Sequence, residues 1–142
     1  MDNYFEADHW TELTLEEASE WESIAPNFSP KEHASKGDGS LRIEKEGLRK
    51  LQKLRDLYGA PLVISSGYRD FVHNRRVGGV RNSQHVQGTA YDIVISNAEV
   101  GRYLEDLAVK AGFSAIGRYK TFIHVDNRPL KSNGSLFYWG KW

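Results

Sequence analysis

Apolar residues recur three and four positions apart over the long stretches of this chain and at alternate positions over the short ones. Leu48, Leu51, Leu54 and Tyr58 make one stripe, which predicts a helix over Glu44–Tyr58 with Gly59 as its C-terminal cap. Val100, Leu104, Leu107 and Ala111 make another, between Asn97 as N-cap and Gly112 as terminator. Thr14 and Glu17 form a capping-box pattern, and Leu15, Ala18, Trp21 and Ala25 would share the inward face of a helix over Thr14–Ala25. Ser29-Pro30 starts a further short helix that Gly37 and Gly39 must end. The runs "PLVISS", "TAYDIVIS", "SAIG" and "TFIHVD" read as strands, the last two in hairpin relation, and the aromatic tail "LFYWGKW" as a last strand or a packing flap. Asp70–Gly88 reads as a long, polar, Gly-rich loop, a length that in a compact domain marks function or disorder. The sum is an α+β domain, with helices first and then a small sheet interrupted by one helix.

Composition narrows this picture. A chain of 142 residues predicts one domain over 1–142. Within it, 1–27 reads as an N-terminal helical extension and 28–142 as the core. The 19 basic and 19 acidic residues cancel, which removes the usual reason to expect a nucleic-acid partner, although a local basic run spans Arg69–Arg81. With no cysteine, disulfides and thiolate metal sites are excluded. The opening "MDNYFEADHW" is acidic and lacks the apolar segment of a secretory signal, so synthesis in the cytoplasm without a signal peptide is expected. No apolar run approaches the ~18 residues of a membrane span, and no membrane partner is expected.

Strand alternation then places the candidate chemistry. In "TAYDIVIS", Ala90, Asp92 and Val94 share one face; in "TFIHVD", Phe122, His124 and Asp126 do. The small Ala90 leaves room beside the Asp92 carboxylate. His85, Asp92 and His124 would supply two imidazoles and a carboxylate, and such a set with one open position matches a catalytic zinc site. Any single histidine is also an ordinary surface or core residue, and spacing alone leaves that alternative open. His9 and His33 stand in polar helical or loop context, and His73 lies in the Gly- and Arg-rich loop.

The stretch "SQHVQGTAYD" fits Ser-x-His-x-x-Gly-x-Ala-x-Asp at every defined position. This pattern resembles the zinc D-alanyl-D-alanine carboxypeptidase family, which includes the vancomycin-resistance dipeptidases and many phage endolysins. "SSGYR", "HNRRVGGVRNSQH" and "GRYKTFIHVD" are similar to the same family, and "FSPKEHASKG" and "LRKLQKLRDLYGAPLVISSGYR" to its short single-domain branch. The resemblance covers about Phe28–Asp126.

It implies one zinc per chain, held by His85, Asp92 and His124, on a fold related to that of the hedgehog domains and the D-Ala-D-Ala peptidases. It implies that Arg69 binds and polarises the substrate near the scissile carbonyl, with Ser83 as a supporting or substrate-binding residue. Many members carry an acid/base carboxylate three residues before the second zinc histidine. Here that position is Thr121, and the nearest replacement is Asp126, on the His124 face of its strand, where it would either act as the acid/base or only orient His124 or cap the hairpin. The implied function is hydrolysis of an amide bond in peptidoglycan stem peptides, as a carboxypeptidase or endopeptidase. The implied setting is a monomeric endolysin that reaches the cell wall or periplasm after release by a separate phage holin. Two other readings share the fold: a zinc-containing binding module without catalysis, and a virion structural protein.

Overall fold

The computed structural model describes residues 3–142. Its centre is a five-stranded sheet made of β3 (Ile64–Ser66), β4 (Ala90–Val94), β5 (Ala115–Arg118), β6 (Phe122–Asp126) and β7 (Phe137–Gly140). The strand order is β3-β4-β6-β5-β7. Every pairing is antiparallel except β5 with β7, which is parallel. The expected "SAIG"/"TFIHVD" hairpin is β5–β6, and the aromatic tail is an edge strand.

The sheet has two unlike faces because its strands alternate. Tyr91, Ile93, Ile116, Ile123 and Val125 are fully buried on one face and join the main core cluster. That face packs on α6 (Ala98–Ala111), which in turn packs on α3 (Lys45–Tyr58). Leu48, Leu51 and Leu54 are fully buried, so the α3 stripe points inward as its periodicity predicts, and Gly59 ends the helix in the left-handed conformation. The other face of the sheet carries polar side chains. It is roofed by the 67–88 segment, which is not a plain loop: it contains α4 (Phe71–Arg76) and the one-turn α5 (Gln84–Gln87).

The N-terminal region departs from expectation. The first 27 residues are not only helical, because β1 (Tyr4–Ala7) pairs antiparallel with β2 (Leu41–Glu44). Phe5, Leu41 and Ile43 point into the core, whereas Glu6 and Arg42 pair across the ribbon's outer side. α1 (Leu15–Ile24) forms with the anticipated Thr14/Glu17 capping box. Its predicted inward face is only half right. Trp21 and Ala25 are buried, but Leu15 is 92% exposed, because only the C-terminal half of this short helix reaches the core. Trp21 packs against Phe5 with the two rings tilted, and donates its indole N–H to the Phe28 carbonyl. The N-terminal segment is therefore part of the core and not an appendage to it.

His33, at the end of α2 (Pro30–His33), is not in polar surroundings either. It is fully buried among the rings of Trp21, Phe28 and Tyr91, at centroid distances of 5.5, 5.8 and 5.3 Å. Neither ring nitrogen has a hydrogen-bond partner in the protein. Burial lowers its pKa from 6.5 to about 3. The unfolded chain takes up a proton below about pH 6.5 and the folded chain does not. The contribution of His33 to stability is therefore complete above that pH and is lost by about 1.4 kcal/mol per unit as pH drops toward 3. Denaturant unfolding at pH 7.5 and pH 4.5 checks this. The wild type should lose much of its stability between the two, and His33→Phe should lose clearly less; equal losses would show that His33 is protonated in the fold.

Candidate metal and substrate site

The polar face of the sheet lines up its functional residues by register. Asp92 on β4 lies directly opposite His124 on β6, His124 opposite Gly117 on β5, and Gly117 opposite Trp139 on β7. A second row runs parallel to it, with Asp126 flanked by the small residues Ala90 and Ala115.

His85 arrives from outside the sheet, and the local sequence explains how. Ser83 caps α5, its Oγ accepting the backbone N–H of His85 at 3.1 Å. Gly88 ends the single turn at φ +77°, and a Cβ there would stand 2.2 Å from the Arg42 carbonyl oxygen. The Glu44 N–H bonds the Gly88 carbonyl, so the β1–β2 ribbon holds this corner. Two residues later β4 begins. The Ser-x-His-x-x-Gly-x-Ala-x-Asp spacing is thus a cap, a one-turn helix, a left-handed stop and a strand, which brings His85 over Asp92.

The three side chains converge. His85 Nε2 stands 3.2 Å and His124 Nδ1 3.0 Å from the same oxygen, Asp92 Oδ1. One donor atom from each residue lies within 4.8 Å of the others, and all three side chains are buried. The far edge of each ring is pinned. His85 Nδ1 lies 2.6 Å from the Gly67 carbonyl and must donate to it, which leaves Nε2 with a bare lone pair. His124 Nε2 lies 2.7 Å from Asp126 Oδ2, which leaves Nδ1 to face Asp92. Burial pushes the His85 imidazole below its ordinary range despite the neighbouring Asp92 carboxylate, so it stays neutral. A neutral His85 lone pair facing a carboxylate oxygen is a contact between two acceptors. A cation held between them removes the conflict, and two nitrogens plus one oxygen are a donor set that fits zinc.

Arg69 completes the rim. Its Nη2 approaches Asp92 Oδ2 at 3.5 Å, its Nε donates to Ser66 and its Nη1 to Asn74. Asn74 is buried and is itself held by the Val80 carbonyl. Sequence reading passed over Asn74, since an Asn among arginines in a polar segment carries no periodic or motif signal. Arg69, Ser83, His85, Asp92 and His124 all line a cavity of about 380 Å³. His9 and His33 lie elsewhere, and His73 is not among the lining residues.

Asp126 stands differently from the expectation of an acid/base. Its side chain is fully buried and lies behind the His124 ring, on the edge away from Asp92. Both oxygens are engaged: Oδ2 by His124 and Arg128 Nη2, Oδ1 by the Arg128 backbone N–H and Nε. Burial would raise its pKa, but the Arg128 fork and His124 hold it down to about 2. Strand alternation put Asp126 on the correct face but gave no information on which ring edge of His124 it meets. Thr121 is exposed in the turn before β6. Asp92 is the only carboxylate lining the cavity among the described residues.

Residues 14–126 match the family model described as peptidase M15. No curated protein matches the chain at significant similarity. The matched span contains the converging triad, Arg69 and Asp126, and stops before β7.

Calorimetric titration with a divalent metal should therefore show about one equivalent bound to the wild type. His85→Ala and Asp92→Ala should each lose that binding. Full binding in both variants would place the ion elsewhere.

Proposed function

Because the chain belongs to the peptidase M15 family, the zinc D-alanyl-D-alanine carboxypeptidase family, we propose that it is a zinc metallopeptidase that hydrolyses amide bonds in peptidoglycan stem peptides. The observation that carries this reading is the three-way convergence of His85 Nε2, Asp92 Oδ1 and His124 Nδ1 in a cavity that also holds a guanidinium. When bound there, zinc supplies a Lewis acid that polarises the amide carbonyl and activates water at neutral pH. Arg69 faces the same cavity with its geometry fixed by Ser66 and Asn74, which suits it to a developing oxyanion or a substrate carboxylate. Ser83 holds α5 in place and so sets the height of His85 above the sheet. Asp126 is a positioning residue in this account: it accepts the His124 Nε2 proton and keeps the Nδ1 lone pair turned to the metal. The endolysin setting, with action at the bacterial wall, is part of the proposal and is supported by the resemblance of the motif set to the short single-domain branch.

A binding module that holds metal without catalysis is the second reading. One observation favours it: Thr121 occupies the usual carboxylate position, and the cavity offers no carboxylate besides Asp92.

Digestion of purified cell walls followed by mass spectrometry of the muropeptides tests the main reading. New carboxyl and amino ends in the stem peptides, abolished by a chelator, are expected; walls left intact with metal bound would support the binding module. Asp126→Asn separates the two roles of that carboxylate. As a positioning residue its loss should weaken metal affinity about 10–100-fold together with activity. Unchanged metal affinity with lost turnover would return Asp126 to the acid/base role.

A further inference from the structure

The aromatic tail is not used by the triad, and β7 lies outside the residues that match the family. Yet β7 ends the row that carries the metal donors, because Trp139 pairs in register with Gly117 and Gly117 with His124. Gly117 is what lets the indole in. A Cβ there would stand 2.6 Å from Trp139 Cε2, so the ring lies flat over the space that any other residue would fill. From there the indole reaches His124, at a centroid distance of 5.1 Å.

The indole is also fixed in place. Its Nε1–H donates to Tyr119 Oη at 2.9 Å, and the Arg128 guanidinium, itself held by Asp126, sits 5.1 Å from its ring centroid. Tyr119 in turn stacks on Phe122, at 4.2 Å and nearly parallel. Tyr119, Phe122 and Trp139 all line the cavity of about 380 Å³. None of the three is in the buried core. The Trp139 ring is pinned by these contacts and left partly exposed where it lines the cavity.

The cavity is therefore polarised along the row. Arg69 stands at the β3 end, bonded to Ser66, and the aromatic group stands at the β7 end, with the triad between them. We propose that Trp139, braced by Tyr119 and Phe122, is a specificity-determining wall that receives the uncharged side chain of the substrate residue beside the scissile amide. This rests on the peptidase reading above. The chemistry favours an uncharged group. The wall is aromatic, and the nearest cation, Arg128, is already neutralised by Asp126. A rigid aromatic side chain loses little entropy when a ligand packs on it.

The test uses the metal-loaded full chain and a synthetic stem pentapeptide, L-Ala-γ-D-Glu-L-Lys-D-Ala-D-Ala. The chain has four tryptophans, so ¹⁵N-labelled indoles give four N–H signals, and Trp139→Phe assigns one of them. The pentapeptide should shift that signal saturably and leave the Trp21 signal, deep in the core, in place. Trp139→Ala should bind metal like the wild type and raise KM about tenfold or more, the scale on which apolar pocket contacts discriminate substrates. Tyr138→Ala, on the opposite face of the same strand, should leave KM unchanged. A wild type that cleaves the peptide while the Trp139 signal stays still, or a Trp139→Ala enzyme with unchanged KM, overturns the subsite alone. Loss of metal in Trp139→Ala also overturns it, since the indole would then serve only to support His124. A wild type that neither binds nor cleaves the peptide overturns the peptidase reading, and the subsite with it.

Discussion

Asp92 Oδ1 is shared by two imidazoles, and each imidazole is anchored from behind by a different acceptor, the Gly67 carbonyl for His85 and the Asp126 carboxylate for His124. On the His85 side this sets a neutral imidazole lone pair against a carboxylate oxygen in a buried place, which is unfavourable unless a cation joins them. Much of the surrounding structure keeps it in being. α5 and its Ser83 and Gly88 ends set His85. The β1–β2 ribbon holds the Gly88 corner through Glu44, and Arg128 pairs with Asp126 Oδ1, which would otherwise be left unpaired, and shares Oδ2 with His124.

The sheet makes this affordable by separating its duties between faces. One face, with Tyr91, Ile93, Ile116, Ile123 and Val125, is dry and packs on the helical layer of α6 and α3. The other carries the donors and is roofed by the 67–88 segment, whose arginine and asparagine side chains form the cavity rim. Rigidity on the packed face fixes strand spacing, and strand spacing fixes how far Asp92, His124 and Trp139 stand apart.

Some of this was legible in the chain and some was not, for physical reasons. The α3 stripe and the Thr14 capping box are local patterns and formed as read. Alternation gave the faces of Asp92 and His124, but spacing alone left His85 and His124 open as ordinary histidines, and it was the resemblance that implied the three act together. The structure brings them to one place because the Ser-x-His-x-x-Gly-x-Ala-x-Asp spacing is a local turn-and-strand geometry. The β1–β2 ribbon was missed because "YFEA" and "LRIE" are four-residue runs far apart in sequence, and neither makes a strand signal without the other. Leu15 was misplaced because periodicity cannot say where along a helix contact with the core ends. The role of Asp126 depends on which edge of the His124 ring it meets, and the reach of Trp139 on the pairing of β5 with β7; both are tertiary facts that local pattern does not contain.

The central claim is that this donor set, in this tautomeric arrangement, is a zinc centre. Zinc-edge X-ray absorption on the metal-loaded protein tests it most directly. The account predicts two imidazole nitrogens and carboxylate or water oxygen at about 2.0–2.2 Å, in a roughly four-coordinate site. It further predicts that one imidazole contribution disappears in a His124→Ala protein that still folds. A zinc ion surrounded by oxygen alone, or a spectrum indifferent to His124, would contradict it.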